Sequence, residues 1–109
     1  MGLNKKTKIF IAGHKGMVGS AIYKQLKSKG YLNIITKNKD KLNLLNQDKT
    51  FKFLKKNKPH YVIIAAAKVG GIIANVKNKN KFIYENLQIQ NNLIHGSYLA
   101  GVKNLILLG

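Results

Sequence analysis

Apolar positions in this chain fall in short blocks that alternate with amphipathic stretches. Ile9 to Ala12 is a continuous run of β-branched, aromatic and small residues, the pattern of a strand buried on both faces. From Met17 to Lys29 apolar residues recur at Val18, Ala21, Ile22 and Leu26, one face of a helix that Gly30 closes. A second short strand is expected over Asn33 to Thr36, and Leu42 and Leu44 alternating with Asn43 predict a brief third. Asn46 or Gln47 starts a helix that runs to Asn57, with Phe51 and Leu54 inward, and Pro59 stops it. His60 to Ala67 reads as a fourth strand ending in small residues. From Lys79 to Ala100 a long helix carries apolar residues on more than one face, and Lys103 to Leu108 follows as a fifth strand after Gly101. One face of the long helix can cover a sheet; the other calls for a second partner, such as a subunit interface.

Strands alternating with helices predict an α/β fold, a doubly wound parallel sheet of about five strands and three helices. The 109 residues suffice for one domain with a modest core and leave no room for a second. A doubly wound sheet normally covers the last strand seen here with a further helix and strand, so the sheet is expected to be incomplete at its C-terminal edge.

Chemistry enters at Gly13-His14-Lys15-Gly16-Met17-Val18-Gly19, between the first strand and first helix. Gly13 permits a sharp turn off the strand, Gly16 lets a pyrophosphate approach the backbone without meeting a Cβ, and Gly19 lets the helix pack tightly on the strand. The free N–H groups and positive dipole end of that helix favour an anion. The spacing is G-x-x-G-x-x-G rather than G-x-G-x-x-G, but its place between strand and helix predicts a dinucleotide site in a Rossmann-like fold. After the second strand, where an NAD site places a carboxylate against the ribose, stand Lys37-Asn38-Lys39. With Lys15 in the glycine turn, three cations suit the extra phosphate of NADP.

The formal net charge of +17 raises a nucleic-acid partner. All 20 basic residues are lysine, however, whereas base readout favours arginine, and they are spread over helices and turns as a solvated surface. Neither nucleic acid nor membrane is expected as a partner. No apolar run approaches the ~20 residues of a membrane span, and the few apolar residues after Lys5, Lys6 and Lys8 make no signal peptide. Zero cysteines exclude a disulfide scaffold and a thiolate metal site and fit a cytoplasmic, soluble protein. His95 has no second histidine or carboxylate at i±3 or i±4, so no metal site is expected. Tyr23 and Lys27 form a Tyr-x-x-x-Lys, the acid and charge pair of short-chain dehydrogenases, but they lie on the helix behind the glycine turn and are set aside as coincidence.

The strings Gly13-His14-Lys15-Gly16-Met17-Val18-Gly19-Ser20-Ala21-Ile22, Asp40-Lys41-Leu42-Asn43-Leu44, Ala65-Ala66-Ala67-Lys68-Val69-Gly70-Gly71-Ile72 with Ala74-Asn75, and Phe82-Ile83-Tyr84-Glu85-Asn86 closely resemble the GDP-L-fucose synthase family of extended short-chain dehydrogenase/reductases. The resemblance runs from Lys8 to Gly109. It implies epimerisation of GDP-4-keto-6-deoxy-D-mannose at two carbons beside its ketone, followed by reduction with NADPH to GDP-L-fucose. Family cofactor positions carry over to Gly13 through Gly19, to Lys39, Asp40, Lys41, Leu42, Asn43 and Leu44, to Ala65, Ala66 and Ala67, to Ile89, and to Leu108 and Gly109. Lys68, Val69, Gly70 and Gly71 fall near the substrate, a GDP-sugar. Where relatives often have arginine, Lys15 and Lys39 keep the charge without the bidentate fork.

The family's catalytic serine, Tyr-x-x-x-Lys, cysteine and histidine are expected beyond Gly109. The chain therefore resembles an N-terminal NADP-binding portion without the substrate domain, not active alone, from a homodimeric enzyme. Two other classes remain open: a non-catalytic dinucleotide- or partner-binding module that ends at Gly109, and a lysine-based polyanion binder.

Overall fold

The protein is described from a computed structural model covering residues 4–65 and 76–108, with side chains for 4–65 and 84–108. Four parallel strands, β1 (Ile9–Ala12), β2 (Ile34–Ile35), β3 (Tyr61–Ile64) and β4 (Asn104–Leu107), form one sheet in the order β2-β1-β3-β4. Three helices connect them: α1 (Met17–Ser28), α2 (Gln47–Asn57) and α3 (Val76–Ala100). The arrangement is α/β and Rossmann-like.

Strands β1 and β3 are apolar on both faces because both faces are covered. Ile9, Ile11 and Ile63 point to α1, where Ile22, Tyr23 and Leu26 pack on them. Phe10, Ala12, Val62 and Ile64 point the other way, to Leu54 of α2 and Leu93 of α3. The Phe10 and Phe53 rings meet there, with centroids 4.7 Å apart. Burying side chains of this size contributes ~1.5–3 kcal/mol each.

Helix ends follow local chemistry. Asn46 caps α2, its side chain accepting from the Lys49 N–H at 3.0 Å. Lys58 takes a left-handed conformation (φ 44°) before the buried Pro59, so α2 stops where expected. Helix α1 ends at Ser28, with Lys29 at the cap and Gly30 at φ 86°. Helix α3 starts at Val76, three residues before the predicted Lys79.

The predicted strand over Leu42 and Leu44 is absent. Backbone groups that a strand would offer to a neighbour are taken up locally. The N–H groups of Lys41 and Leu42 both donate to the Asn38 carbonyl, Leu45 N–H to Asn43 Oδ1, and Asn46 N–H to the Asn43 carbonyl. The alternating leucines nevertheless point inward, Leu42 into the core and Leu44 packed against it. The described sheet thus has four strands where about five were expected.

The amino-terminal edge of the sheet is laced by long-range hydrogen bonds. Lys8 N–H donates to His60 Nδ1 at 2.9 Å, while His60 N–H donates back to the Lys8 carbonyl at 2.8 Å. Lys8 Nζ reaches the Asn57 carbonyl, Asn33 Nδ2 the Lys6 carbonyl, and Asn104 Nδ2 the His60 carbonyl. At the opposite, carboxyl-terminal edge, Gly13, Thr36, Ala65 and Leu108 follow the four strands.

Candidate functional site

Because all strands run parallel, their carboxyl ends share one edge, and the chain passes from β1 to β2 on one side of it and then crosses back to β3 on the other. Loops diverge at such a reversal and leave a crevice, the general ligand position of open α/β sheets. A cleft of about 500 Å³ lies there.

The glycine turn supplies one part of its lining: Gly13, His14, Lys15 and Gly16. Gly13 adopts φ 92°, which strains any residue with a Cβ, and its carbonyl accepts from the Gly16 N–H at 3.1 Å. Gly16 is then the N-cap of α1 without a side-chain cap, and α1 has no acidic residue in its first turn. Its leading N–H groups therefore carry the helix dipole's positive end with no carboxylate in that turn to neutralise it. Gly19 is buried for packing: a Cβ there would land on the Gly13 carbonyl, 2.7 Å from its carbon and closer to its oxygen. The close contact is with the turn, rather than with the strand as expected.

A second part comes from the loop after β2, with Lys37, Asn38 and Lys39 followed by Leu42, Asn43, Leu44 and Leu45. Ala65, at the end of β3, and Glu85, Asn86 and Ile89 of α3 complete the lining. The lining combines Lys15, Lys37 and Lys39 with Leu42, Leu44, Leu45 and Ile89, a set suited to a ligand with an anionic part and an apolar, flat part.

Of the residues singled out in the sequence, Gly13, His14, Lys15, Gly16, Lys39, Leu42, Asn43, Leu44, Ala65 and Ile89 line this one cleft. Met17, Val18, Gly19, Asp40, Lys41 and Leu108 do not line it. Met17, Val18, Asp40 and Lys41 are exposed, and Leu108 packs on the α1 side of the sheet. Ala66, Ala67, Lys68, Val69, Gly70, Gly71 and Gly109 lie outside the described residues. Asn38, Leu45, Glu85 and Asn86 were missed as lining residues. Leu45 sits just past the alternation that drew attention to Leu42 and Leu44, and Glu85 carried no signal except its place in the Phe82-to-Asn86 string.

The set-aside Tyr23 and Lys27 are on α1, with Lys27 Nζ 5.8 Å from the Tyr23 ring centroid and Tyr23 packed on the sheet face away from α2 and α3. His95 is exposed and in ring contact with Phe51 and Tyr98. Among the described residues no helix is long and apolar enough to cross a membrane, and no group of three or more His, Cys, Asp or Glu side chains could hold a metal ion.

Residues 9–109 match the NAD dependent epimerase/dehydratase family. The chain belongs to that family. As a family member it is 50% identical over 107 residues to "Putative GDP-L-fucose synthase 2" of Arabidopsis thaliana, covering 98% of this chain and 33% of the relative. It is also 43% identical over 104 residues to "GDP-L-fucose synthase" of Escherichia coli, covering 95% of this chain and 32% of the relative. The chain thus spans about a third of the length of the curated relatives it matches. Among solved structures it is similar to MlghC, a GDP-mannoheptose C4 reductase from Campylobacter jejuni with NADP bound. That match has a TM-score of 0.90 at 45% identity and covers 99% of this chain and 32% of that one.

Proposed function

We propose that residues 1–109 are the N-terminal NADP-binding portion of an NADPH-dependent epimerase-reductase that makes GDP-L-fucose from GDP-4-keto-6-deoxy-D-mannose. The observation that carries this reading is the cleft at the β1/β3 reversal. It joins a glycine turn and an uncapped helix N-terminus to a loop with two lysines where an NAD site would place a carboxylate. The similarity to GDP-L-fucose synthases and to an NADP-bound GDP-sugar reductase supports it.

The residues present fit that cofactor. The positive φ of Gly13 and the absence of a Cβ at Gly19 let the turn and α1 come together, which leaves the turn's backbone for a pyrophosphate. Lys15, Lys37 and Lys39 hold the 2′-phosphate, and Leu42, Leu44, Leu45 and Ile89 flank the adenine end. The resemblance to the family further assigns Ala66, Ala67 and Gly109 to the cofactor and Lys68 to Gly71 to the GDP-sugar, whereas Leu108 packs on the α1 side of the sheet. NADPH, when bound, supplies the hydride for reduction of the ketone. This chain's residues bind and orient the cofactor; none is assigned to proton transfer, and the span does not turn over alone. The complete enzyme is a homodimer, for which the exposed Tyr84, Leu87, Tyr98 and Leu99 of α3 supply an unpartnered face.

The test is thermal unfolding of the chain with NADPH and with NADH. Stabilisation larger with NADPH is expected, since a ligand at ~100 times its Kd adds ~2.7 kcal/mol. No shift with either nucleotide overturns the reading. A second reading, a non-catalytic module whose β4 a partner covers, draws on the exposure of Leu105, Ile106 and Leu107. A monodisperse chain that binds NADPH and fails to self-associate favours it.

A further inference from the structure

Leu42, Leu44 and Leu45 reach the cleft from a loop that lacks the strand pairing its sequence pattern suggested, so something else must hold it in place. Its nearby hydrogen bonds are local: Lys41 and Leu42 N–H to the Asn38 carbonyl, Leu45 N–H to Asn43 Oδ1, and Asn46 N–H to the Asn43 carbonyl. These give the loop a shape but do not determine where it stands against α3. Leu42 and Leu44 pack on the core that Leu93 of α3 shares, and one long-range hydrogen bond fixes the loop's backbone against that helix. Asn92 Nδ2, on α3, donates to the Leu44 carbonyl at 2.8 Å across 48 residues of sequence. Asn92 is 2% exposed, and Gln88 Nε2 lies 3.4 Å from its Oδ1, which leaves the amide's donor side for Leu44. Thr50 Oγ1 of α2 approaches the same carbonyl at 3.5 Å, the outer limit of a hydrogen bond.

We propose that Asn92 is a positioning residue for the cleft, setting the leucine wall through the Leu44 carbonyl without itself touching the ligand. Asn92 does not line the cleft, whereas Ile89, one helical turn before it, does. One stretch of α3 thus carries both a piece of the wall and the tether for another. Asn92 is an unusual buried residue beside Leu93, which packs on the apolar core, and burying an amide is tolerated only when its hydrogen bonds are made. Removing the donor leaves the Leu44 carbonyl with only the long Thr50 contact, and the loop then relaxes toward water. Leu44 and Leu45 move with it, so the ligand meets a wall that must be reordered on binding.

The proposal rests on the NADP reading for its ligand but not for its tether, and the experiment separates the two. In the full chain, Asn92→Leu keeps most of the volume and removes the donor, Asn92→Asp keeps the shape and replaces the donor with an oxygen, and Thr50→Val removes only the weak contact. NADP+ affinity and backbone amide exchange are measured for each and for the unsubstituted chain. Both Asn92 variants are expected to raise the NADP+ Kd roughly tenfold and to speed exchange at Leu45 and Asn46, leaving α1 amides unaltered, with Thr50→Val within about twofold. Unaltered loop exchange, or a Kd within about twofold in both Asn92 variants, overturns the proposal. So does a lowered melting temperature with faster exchange throughout and an unaltered Kd, the mark of a merely structural amide. An unsubstituted chain that fails to bind NADP+ sinks the NADP reading instead, and the tether is then judged by exchange in the ligand-free chain.

Discussion

The glycine turn at 13–16 and the leucine loop at 37–46 both line the cleft, yet they are held in different ways. The turn is held by backbone geometry: φ 92° at Gly13, a Gly13-to-Gly16 hydrogen bond, and the missing Cβ of Gly19. The loop, beyond its backbone bonds to the Asn38 and Asn43 carbonyls, depends on side-chain amides: Asn43 within it, Asn46 capping α2 where it ends, and Asn92 reaching from α3. A backbone device tolerates almost no substitution at its key residues, whereas an amide device can be dismantled one hydrogen bond at a time. The two parts of the site should therefore fail differently.

The largest effect is expected at Gly19. Gly19→Ala places a Cβ against the Gly13 carbonyl, so backbone must move; a loss of ~2–3 kcal/mol and a fall in Tm of roughly 10 °C or more should accompany loss of NADPH binding. A Tm within about 2 °C of the original would show that the turn gives way as easily as the loop. Next comes the charge of the loop. The double substitution Lys37→Gln, Lys39→Gln should raise the NADPH Kd roughly tenfold while leaving NADH affinity and Tm nearly unaltered, because both side chains are exposed. An equal loss for both nucleotides would place the lysines on a phosphate the two share. The smallest effect belongs to the cap: Asn46→Ala should cost ~1 kcal/mol, seen as a fall in Tm of roughly 4–8 °C with the glycine turn's exchange rates unaltered.

The same contrast explains what could be read from the chain beforehand. Glycine positions are informative one at a time, because each removes a specific steric barrier, and Gly13, Gly16 and Gly19 marked the turn and the start of α1 correctly. Leu42-Asn43-Leu44 satisfied the period of a strand equally well, since alternation records only which side chains point inward. What decided against a strand was Asn43 and Asn38 taking up the loop's N–H groups, a local competition that periodicity does not register. The contributions of Glu85 and Asn92 depend on how α3 lies across the fold. Separations as large as the 48 residues between Leu44 and Asn92 leave no pattern in a single sequence. The second strand, expected over Asn33 to Thr36, is confined to Ile34 and Ile35, paired in parallel with β1.

The lacing of the amino-terminal edge has an evolutionary consequence. Lys8, His60, Asn33 and Asn104 tie neighbouring strands together at the end of the sheet remote from the cleft. Stability held there is not spent when a loop at the other end is rewritten, so a mutational drift that would unravel a fold stapled at its binding edge is absorbed here. Such a scaffold is suited to diversification: new ligands can be accommodated by editing the cleft-facing rim, while the opposite rim preserves the heritable framework on which each edit is tried.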